Sequence, residues 1–371
     1  MPCTASFNKI NTAERYAPAD FFDKVHERMG TALNFTAALE SKITEQLQSQ
    51  RVGYLLGAGS SYLNGNGYPL SFELWDKIKD HISDATRRDD IQAKIDTLGT
   101  KGIEHALDLL DGGGPEEGEH RRLVGKAIAD LFLPLCPPLD THIEFVKRLA
   151  ARSVPHVKIF SLNYDPLIER AAERARVRLY DGFAGHEHAY FDSSVFEERV
   201  FRIRGTHKGR QTDETAKPLH LLKLHGSVGW YHCDLLGVRR CGFGGSIPEN
   251  TKRLIIPPQR RKADDTMIQP YQALWSAFRG ALGQDCNPLN RLVCIGYGFA
   301  DEHVNTLIEN ALARTDFTVL IFTKYLSDEA WNRWSIKNNV IVVTETRCTI
   351  KGEVGVGHPD LWNCEYIMKR I

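Results

Sequence analysis

Three short segments carry the chemistry of this chain: Gly57-Ala58-Gly59-Ser60-Ser61, Ser161-Leu162-Asn163-Tyr164-Asp165 and Lys223-Leu224-His225-Gly226-Ser227. Each ends an apolar run, VGYLL, VKIF and LHLL respectively. In an open α/β sheet, ligands bind in the crevice beyond the carboxyl ends of the strands. Three polar turns at three such ends are therefore expected to converge on one pocket. Gly57 and Gly59 allow positive φ and close backbone approach, and the N–H groups that follow can face a diphosphate. Asn163 is a neutral amide that can hold a water or ribose hydroxyls without burying a charge. Its blander reading is a turn residue capping the helix that starts near Pro166. Asp165 divides evenly between the pocket and that helix N-terminus. Histidine is the side chain whose ordinary pKa lies near neutrality, and His225 sits at a strand end before a glycine, where it can exchange protons with a ligand. Together these are the parts of a nucleotide site with a reaction in it.

The order of these motifs resembles the sirtuin superfamily, whose pattern is GAG-x-S, then T-Q-N-x-D, then HG. Gly57, Ala58, Gly59, Ser60 and Ser61 match the first, Asn163 and Asp165 the second, His225 and Gly226 the third. A fourth stretch, from Gly296 to Asn305, is similar to the GYSF-x-D-x-H-x-N segment of bacterial sirtuin-like proteins associated with antiphage NAD hydrolysis. The likeness runs from about residue 50 to about residue 345. It implies NAD as substrate, with His225 as general base on the nicotinamide ribose and Asn163 as its catalytic companion. It also places the Gly57–Ser61 turn, Pro69, Asp165, Gly226, Ser227, Gly296, Tyr297 and Phe299 around the dinucleotide. Gly67-Tyr68-Pro69 is similar to the later G-x-P of the cofactor loop, but Leu70, Ser71 and Phe72 stand where acidic and Arg residues often follow.

Two departures bear on the reaction. None of the eight cysteines forms a CxxC pair, whereas deacylating sirtuins usually carry a zinc ribbon built from two such pairs. No zinc is expected, and a metal role for Cys233 and Cys241 with His232 is a remote alternative to reduced thiols. Deacylases also present an F-G-E type segment to pair with a peptide, and here the region reads Arg253-Leu254-Ile255-Ile256-Pro257-Pro258-Gln259-Arg260. Prolines remove ladder donors where a substrate strand would pair. The expected activity is therefore an NAD+ glycohydrolase that releases nicotinamide and ADP-ribose. The alternatives are a protein deacylase or ADP-ribosyltransferase, and a non-catalytic nucleotide-binding scaffold.

The elements that must position these residues follow from pattern and length. At 371 residues, with 42% hydrophobic and 25% charged content, the chain can bury a large core and reads as an ordinary globular protein. Lys+Arg and Asp+Glu both number 47, so nothing in the bulk charge draws it to nucleic acid or a membrane. No apolar run nears the ~18 residues of a membrane span, and the first twenty residues lack a leader's apolar core. A cytoplasmic protein is expected. Strands are expected at 52–56, 157–162, 219–224, 252–257, 291–297, 317–323 and 339–344, with helices at 166–177 and 302–314 among others. Runs such as VLIF and VIVV suit strands buried on both faces. The expected fold is α/β, a Rossmann-like, doubly wound, mainly parallel sheet with a smaller, mostly helical inserted lobe.

The expected organisation has an N-terminal helical segment over 1–50 and a sirtuin-like NAD-binding catalytic domain over 51–347. The inserted lobe would come from about 72–150 and 180–217, followed by a tail over 348–371. Phe22, Val25, Met29, Leu33 and Phe35 fall at near-helical spacing in the first segment. The tail is too short for a fused sensor, so control is expected through homo-oligomerisation or a partner. The resemblance supplies a candidate partner, a separately encoded HerA-type ATPase, within an abortive-infection type of antiphage defence.

Overall fold

The computed structural model describes residues 34–98, 102–111, 118–154, 157–198, 200–206, 209–243, 245–248, 251–256 and 269–371. The expected N-terminal helical segment over 1–50 lies largely outside these, with Phe22, Val25, Met29 and Leu33, as do residues 257–260 of the stretch that carries the two prolines. Residues 34–47 are helical and form α1, and Gly59–Tyr62 form the short α2.

The strands that end in the three motifs do lie side by side. They are β1 (Val52–Leu56), β2 (Lys158–Ser161) and, after β3 (Leu179–Tyr180), β4 (Phe183–Ala184), β5 (His188–Phe191), β6 (Val200–Thr206) and β7 (Gly209–Ala216), β8 (Leu219–Lys223). The rest are β9 (Gly226–Cys233), β10 (Gly237–Cys241), β11 (Lys252–Ile255), β12 (Arg291–Ile295), β13 (Thr318–Phe322), β14 (Val340–Val343), β15 (Arg347–Ile350) and β16 (Glu353–Val356). Nine of them form one sheet in the order β16-β15-β14-β13-β12-β1-β2-β8-β3. All its pairings from β14 to β3 are parallel, and only β14–β15 and β15–β16 are antiparallel.

Alternation along these strands makes two cores. On one face, Val52, Tyr54, Leu56, Ile159, Leu221, Val293 and Leu320 pack with α1, α7 (Asp140–Ala151), α8 (Leu167–Ala175) and α12 (Cys364–Met368). On the other, Leu55, Phe160, Leu222, Leu292, Cys294 and Ile321 pack with α9 (Tyr271–Arg279), α10 (Glu302–Leu312) and α11 (Asp328–Ser335). Helices on both faces of a mainly parallel sheet are the doubly wound arrangement.

A third core belongs to the lobe. Leu74, Trp75, Ile78, Ile91, Ile103, Leu107, Val124 and Ile128 come together from α3 (Leu74–Ile78), α4 (Ala85–Leu98), α5 (Gly102–Leu110) and α6 (Glu119–Phe132). They also bury Val228 of β9 and Ile255 of β11. Two features differ from the sequence expectation. Helix α7 lies within 72–150, yet its Phe145, Val146 and Leu149 cover the main sheet, because their spacing faces the strands and not the lobe. A second sheet, β11-β9-β10-β5-β4, accompanies the helical part, and β6 and β7 pair as a separate hairpin. No helix among the described residues is long and apolar enough to cross a membrane.

A close backbone-to-backbone approach lies where β1 and β12 end. A Cβ on Gly59 would sit 2.8 Å from Gly296 Cα, and one on Gly57 would sit 2.6 Å from Tyr297 Cα. Gly296 itself has φ +64°, and a Cβ there would meet the carbonyl carbon of Gly59 at 2.6 Å. Gly296→Ala combines left-handed strain with a backbone clash and should cost about 2–4 kcal/mol of stability. Gly298 has open space around its Cβ position, so Gly298→Ala should stay within about 0.5 kcal/mol of the parent. Urea midpoints of the two variants check this; equal midpoints would mean that the close approach constrains nothing.

Candidate functional site

The ends of β1, β2, β8, β12 and β13 open onto a cavity of about 580 Å3. Gly57, Ala58, Gly59, Ser61, Pro69, Asn163, Asp165, His225, Gly296 and Tyr297 all line it. Ser60, Gly226, Ser227 and Phe299 are placed off its wall. Ser60 is buried and gives its hydroxyl to Gly57 O at 2.7 Å. Ser227 lies within β9 with its hydroxyl on Tyr164 O at 3.3 Å. Gly226, at φ +80°, turns the chain from His225 into β9, and a Cβ there would be 2.8 Å from Tyr271 Oη. Phe299 points into the core against Trp334, ring centroids 4.7 Å apart.

Asn163 is fixed by the glycine turn. Its Nδ2 donates to Gly57 O at 2.9 Å, to Ser61 Oγ at 2.9 Å and to Ser60 Oγ at 3.2 Å. A backbone carbonyl can only accept, so the amide end is assigned and Oδ1 is the acceptor left for a ligand. The capping alternative for this side chain is therefore not what it does. Asp165 caps the helix instead, with Oδ1 accepting the N–H of Leu167 at 3.0 Å, while the residue still reaches the cavity.

The glycine turn departs from the expected ring of open donors. Gly57 N donates to Ile295 O, Gly59 N to Gly296 O, Ser60 N to Gly57 O and Ser61 N to Ala58 O, all within 3.0 Å. Those four N–H groups are spent within the protein. What the turn offers is the bare backbone of Gly57 and Gly59, against which a ligand can lie closely.

His225 leaves β8 with its carbonyl accepting from Ile256 N at 2.9 Å. Its side chain is buried, and Nε2 lies 3.1 Å from Asp301 Oδ2, a carboxylate that is equally buried. Sequence reasoning marks the Gly296–Asn305 stretch but gives Asp301 no role. The signal available for it is an aspartate ahead of a helical pattern, which reads as a cap. It is one: Asp301 Oδ1 accepts from His303 N at 3.0 Å and Val304 N at 3.3 Å at the start of α10. The loop before it is braced by Tyr297 Oη donating to Asn305 Oδ1 at 3.0 Å and Asn305 Nδ2 donating to Phe299 O at 2.9 Å. Burial with Asp301 nearby pushes the Tyr297 phenol far above its ordinary range, so it remains a donor.

Residues from the C-terminal segment also reach the cavity: Trp362, Asn363, Cys364 and Glu365. Glu365 accepts from Asn64 Nδ2 at 2.6 Å and from Thr141 Oγ1 at 3.3 Å. Burial pushes the Cys364 thiol up to about 12, which removes it as a nucleophile near neutral pH. Nothing in the sequence pattern points to this wall. Among the described residues, no group of three His, Cys, Asp or Glu side chains could hold a metal ion. Cys241 gives its thiol to Ser246 O at 3.6 Å.

With this geometry established, comparison with known proteins adds a family. Residues 157–340 match the family model described as SIR2-like domain. The match takes in Asn163, Asp165, His225 and the loop from Gly296 to Asn305, while the glycine turn lies ahead of it. No curated protein matches the chain. Among solved structures, one described as the structural basis for the mechanism and regulation of Sir2 enzymes shares 13% identity at a TM-score of 0.39, covering 89% of this chain and 96% of that one. Sir2Tm bound to a propionylated peptide shares 12% at 0.36, covering 76% and 85%. A Sir2 homologue in complex with ADP-ribose shares 11% at 0.39, covering 76% and 83%.

Behind the glycine turn lies His142 of α7, fully buried, with the Ser60 backbone carbonyl as its hydrogen-bond partner. Burial holds its imidazole down to about 4, against smaller upward pulls from Asp165 and that carbonyl. The folded protein thus keeps His142 neutral while the unfolded chain takes a proton near pH 6.5. Stability is insensitive to this group above that pH and falls as pH drops from about 6.5 to about 4. The loss across this window is about 3 kcal/mol. His142→Gln keeps a donor toward Ser60 and cannot titrate, so its stability should fall less than the parent's over the same range. Chemical denaturation of both proteins at about pH 7, 5.5 and 4.5 measures this; parallel curves would show that His142 does not titrate as described.

Proposed function

We propose that this protein is an NAD+ glycohydrolase, cleaving the nicotinamide–ribose bond to give nicotinamide and ADP-ribose. A SIR2-like domain implies NAD-dependent activity of the sirtuin kind. The observation that carries the finer reading is the convergence of Asn163 and His225 on one cavity, beside a turn whose two glycines leave room for a diphosphate. A volume of about 580 Å3 falls within the usual range of small-molecule sites, roughly 300–1,000 Å3. The lack of any CxxC pair and the form of the 253–260 stretch favour water over an acyl-lysine as nucleophile.

In this reading the dinucleotide's diphosphate lies along Gly57–Ser61 and its nicotinamide ribose between Asn163 and His225. The glycosidic C–N bond breaks and its electron pair returns to the pyridinium nitrogen, discharging the nicotinamide. Positive charge develops on the ribose, and a water oxygen bonds to the anomeric carbon as a proton leaves it. Asn163 Oδ1 is the neutral acceptor that holds the water or a ribose hydroxyl. His225 accepts a proton, from the ribose hydroxyl or the attacking water. The cavity walls around the ribose supply orientation.

Purified protein incubated with NAD+ should release nicotinamide and ADP-ribose without any acylated peptide, alone or once assembled with its activator. Strict dependence on an acyl-lysine peptide would reassign the protein to deacylation. Asn163→Ala and His225→Ala should lower turnover ~10²–10⁴-fold. Both should stay folded, with the parent's circular dichroism, at a lower unfolding midpoint because each loses a buried polar contact. A folded variant with parental turnover would remove that residue from the mechanism.

We also propose control by assembly, as a homo-oligomer or with a HerA-type ATPase, in antiphage defence. The support is the likeness of the Gly296–Asn305 stretch to that branch of sirtuin-like proteins. Light scattering at micromolar concentration should find a species larger than a dimer, either alone or with the ATPase. A monomer with full, constitutive activity would refute assembly as the control.

A further inference from the structure

Asp301 uses its two carboxylate oxygens for different elements. Oδ1 caps α10 through the N–H groups of His303 and Val304, and Oδ2 lies 3.1 Å from His225 Nε2. Asp301 follows β12 and His225 follows β8, with β1 and β2 between those strands in the sheet. The loop therefore crosses the crevice to bring a carboxylate to the imidazole. The loop is rigid where it needs to be: Gly296 seats against Gly59, and Tyr297 and Asn305 brace the turn at Phe299, whose φ is +57°. Trp275 packs alongside, its indole N–H on Leu224 O at 3.0 Å and its ring 6.2 Å from His225.

We infer that Asp301 is a positioning residue for His225. Its carboxylate is an acceptor only, so the imidazole faces it through Nε2–H and keeps Nδ1 as its basic nitrogen. As His225 takes a proton, the buried carboxylate lies where the imidazolium charge forms. The inference rests on the reading of His225 as the base in NAD+ cleavage, and it adds the group that sets which nitrogen is basic.

Asp301→Asn separates this role from capping. Asn is as good a cap as Asp, so Oδ1 can still serve α10 while the end facing His225 becomes an NH2 donor. That donor demands an acceptor at Nε2 and moves the proton to Nδ1, the wrong tautomer for the base. Asp301→Ser also caps a helix but is too short to reach His225. With NAD+ as substrate, Asp301→Asn should keep the parent's unfolding midpoint, and both variants, while folded, should keep the parent's KM and lose about 10²-fold or more in kcat. In parallel, 15N imidazole spectra, with His225→Gln to assign the signal, should show the neutral ring of the parent protonated on Nε2. In Asp301→Asn it should be protonated on Nδ1. Parental kcat in a folded Asp301→Asn overturns the inference. If the parent releases no nicotinamide, the NAD+ reading fails by itself. The spectra then decide alone, and an unchanged His225 signature in Asp301→Asn overturns the positioning role.

Discussion

Two peptide turns that touch without side chains between them hold this site together. The end of β1 and the end of β12 approach until Gly59 N bonds Gly296 O at 2.9 Å, and Gly57 N extends the same ladder to Ile295 O at 3.0 Å. Any Cβ at Gly57, Gly59 or Gly296 would intrude on the opposite backbone. This approach does two things for the cavity. It presents bare backbone to a ligand from one side, and it sends the chain after Gly296 across the crevice toward His225. A side chain at that crossing would push the second loop outward and carry Asp301 away from the imidazole.

The facing half of the site is held by charge. Lys223, the last residue of β8, is fully buried, with Nζ donating to Tyr164 O at 3.3 Å, to Asp165 O and to Glu169 Oε1 at 3.0 Å. One ammonium thus ties the Asn163–Asp165 turn and the first turn of α8 to the strand that delivers His225. Burial raises the Glu169 carboxyl, and Lys223 opposes that rise. A buried ion pair is weak evidence for net stability, since desolvation offsets much of the attraction. Its value here is register: with both partners and two carbonyls engaged, the turn has one place to sit. Removing either partner would strand a charge in the core, the costlier error.

Much of this is legible because strand-end chemistry is local. VGYLL, VKIF and LHLL read as buried strands from their residues alone, and the switch-point rule then brings their polar ends together whatever the connections are. Asn163 and His225 can therefore be named without knowing the lobe. What fails to show is non-local. The β9–β10 sheet is hidden because Gly226, Gly229 and His232 break the apolar pattern of its longest strand. Helix α7 looks like part of the lobe, since periodicity reports that a face is apolar but not which surface it covers.

Asp301 illustrates the limit most sharply. Read along the chain, an aspartate before Glu302-His303-Val304 is a helix cap, and that reading is correct. A cap, however, occupies one carboxylate oxygen. The second can bind something else, and only the tertiary crossing of the β12 loop decides what. The same logic covers Asn163, whose two-ended amide meets the glycine turn with one end and leaves the other to the cavity. Bidentate side chains at strand ends serve structure and chemistry together. Assigning them a structural role from sequence does not remove them from the reaction.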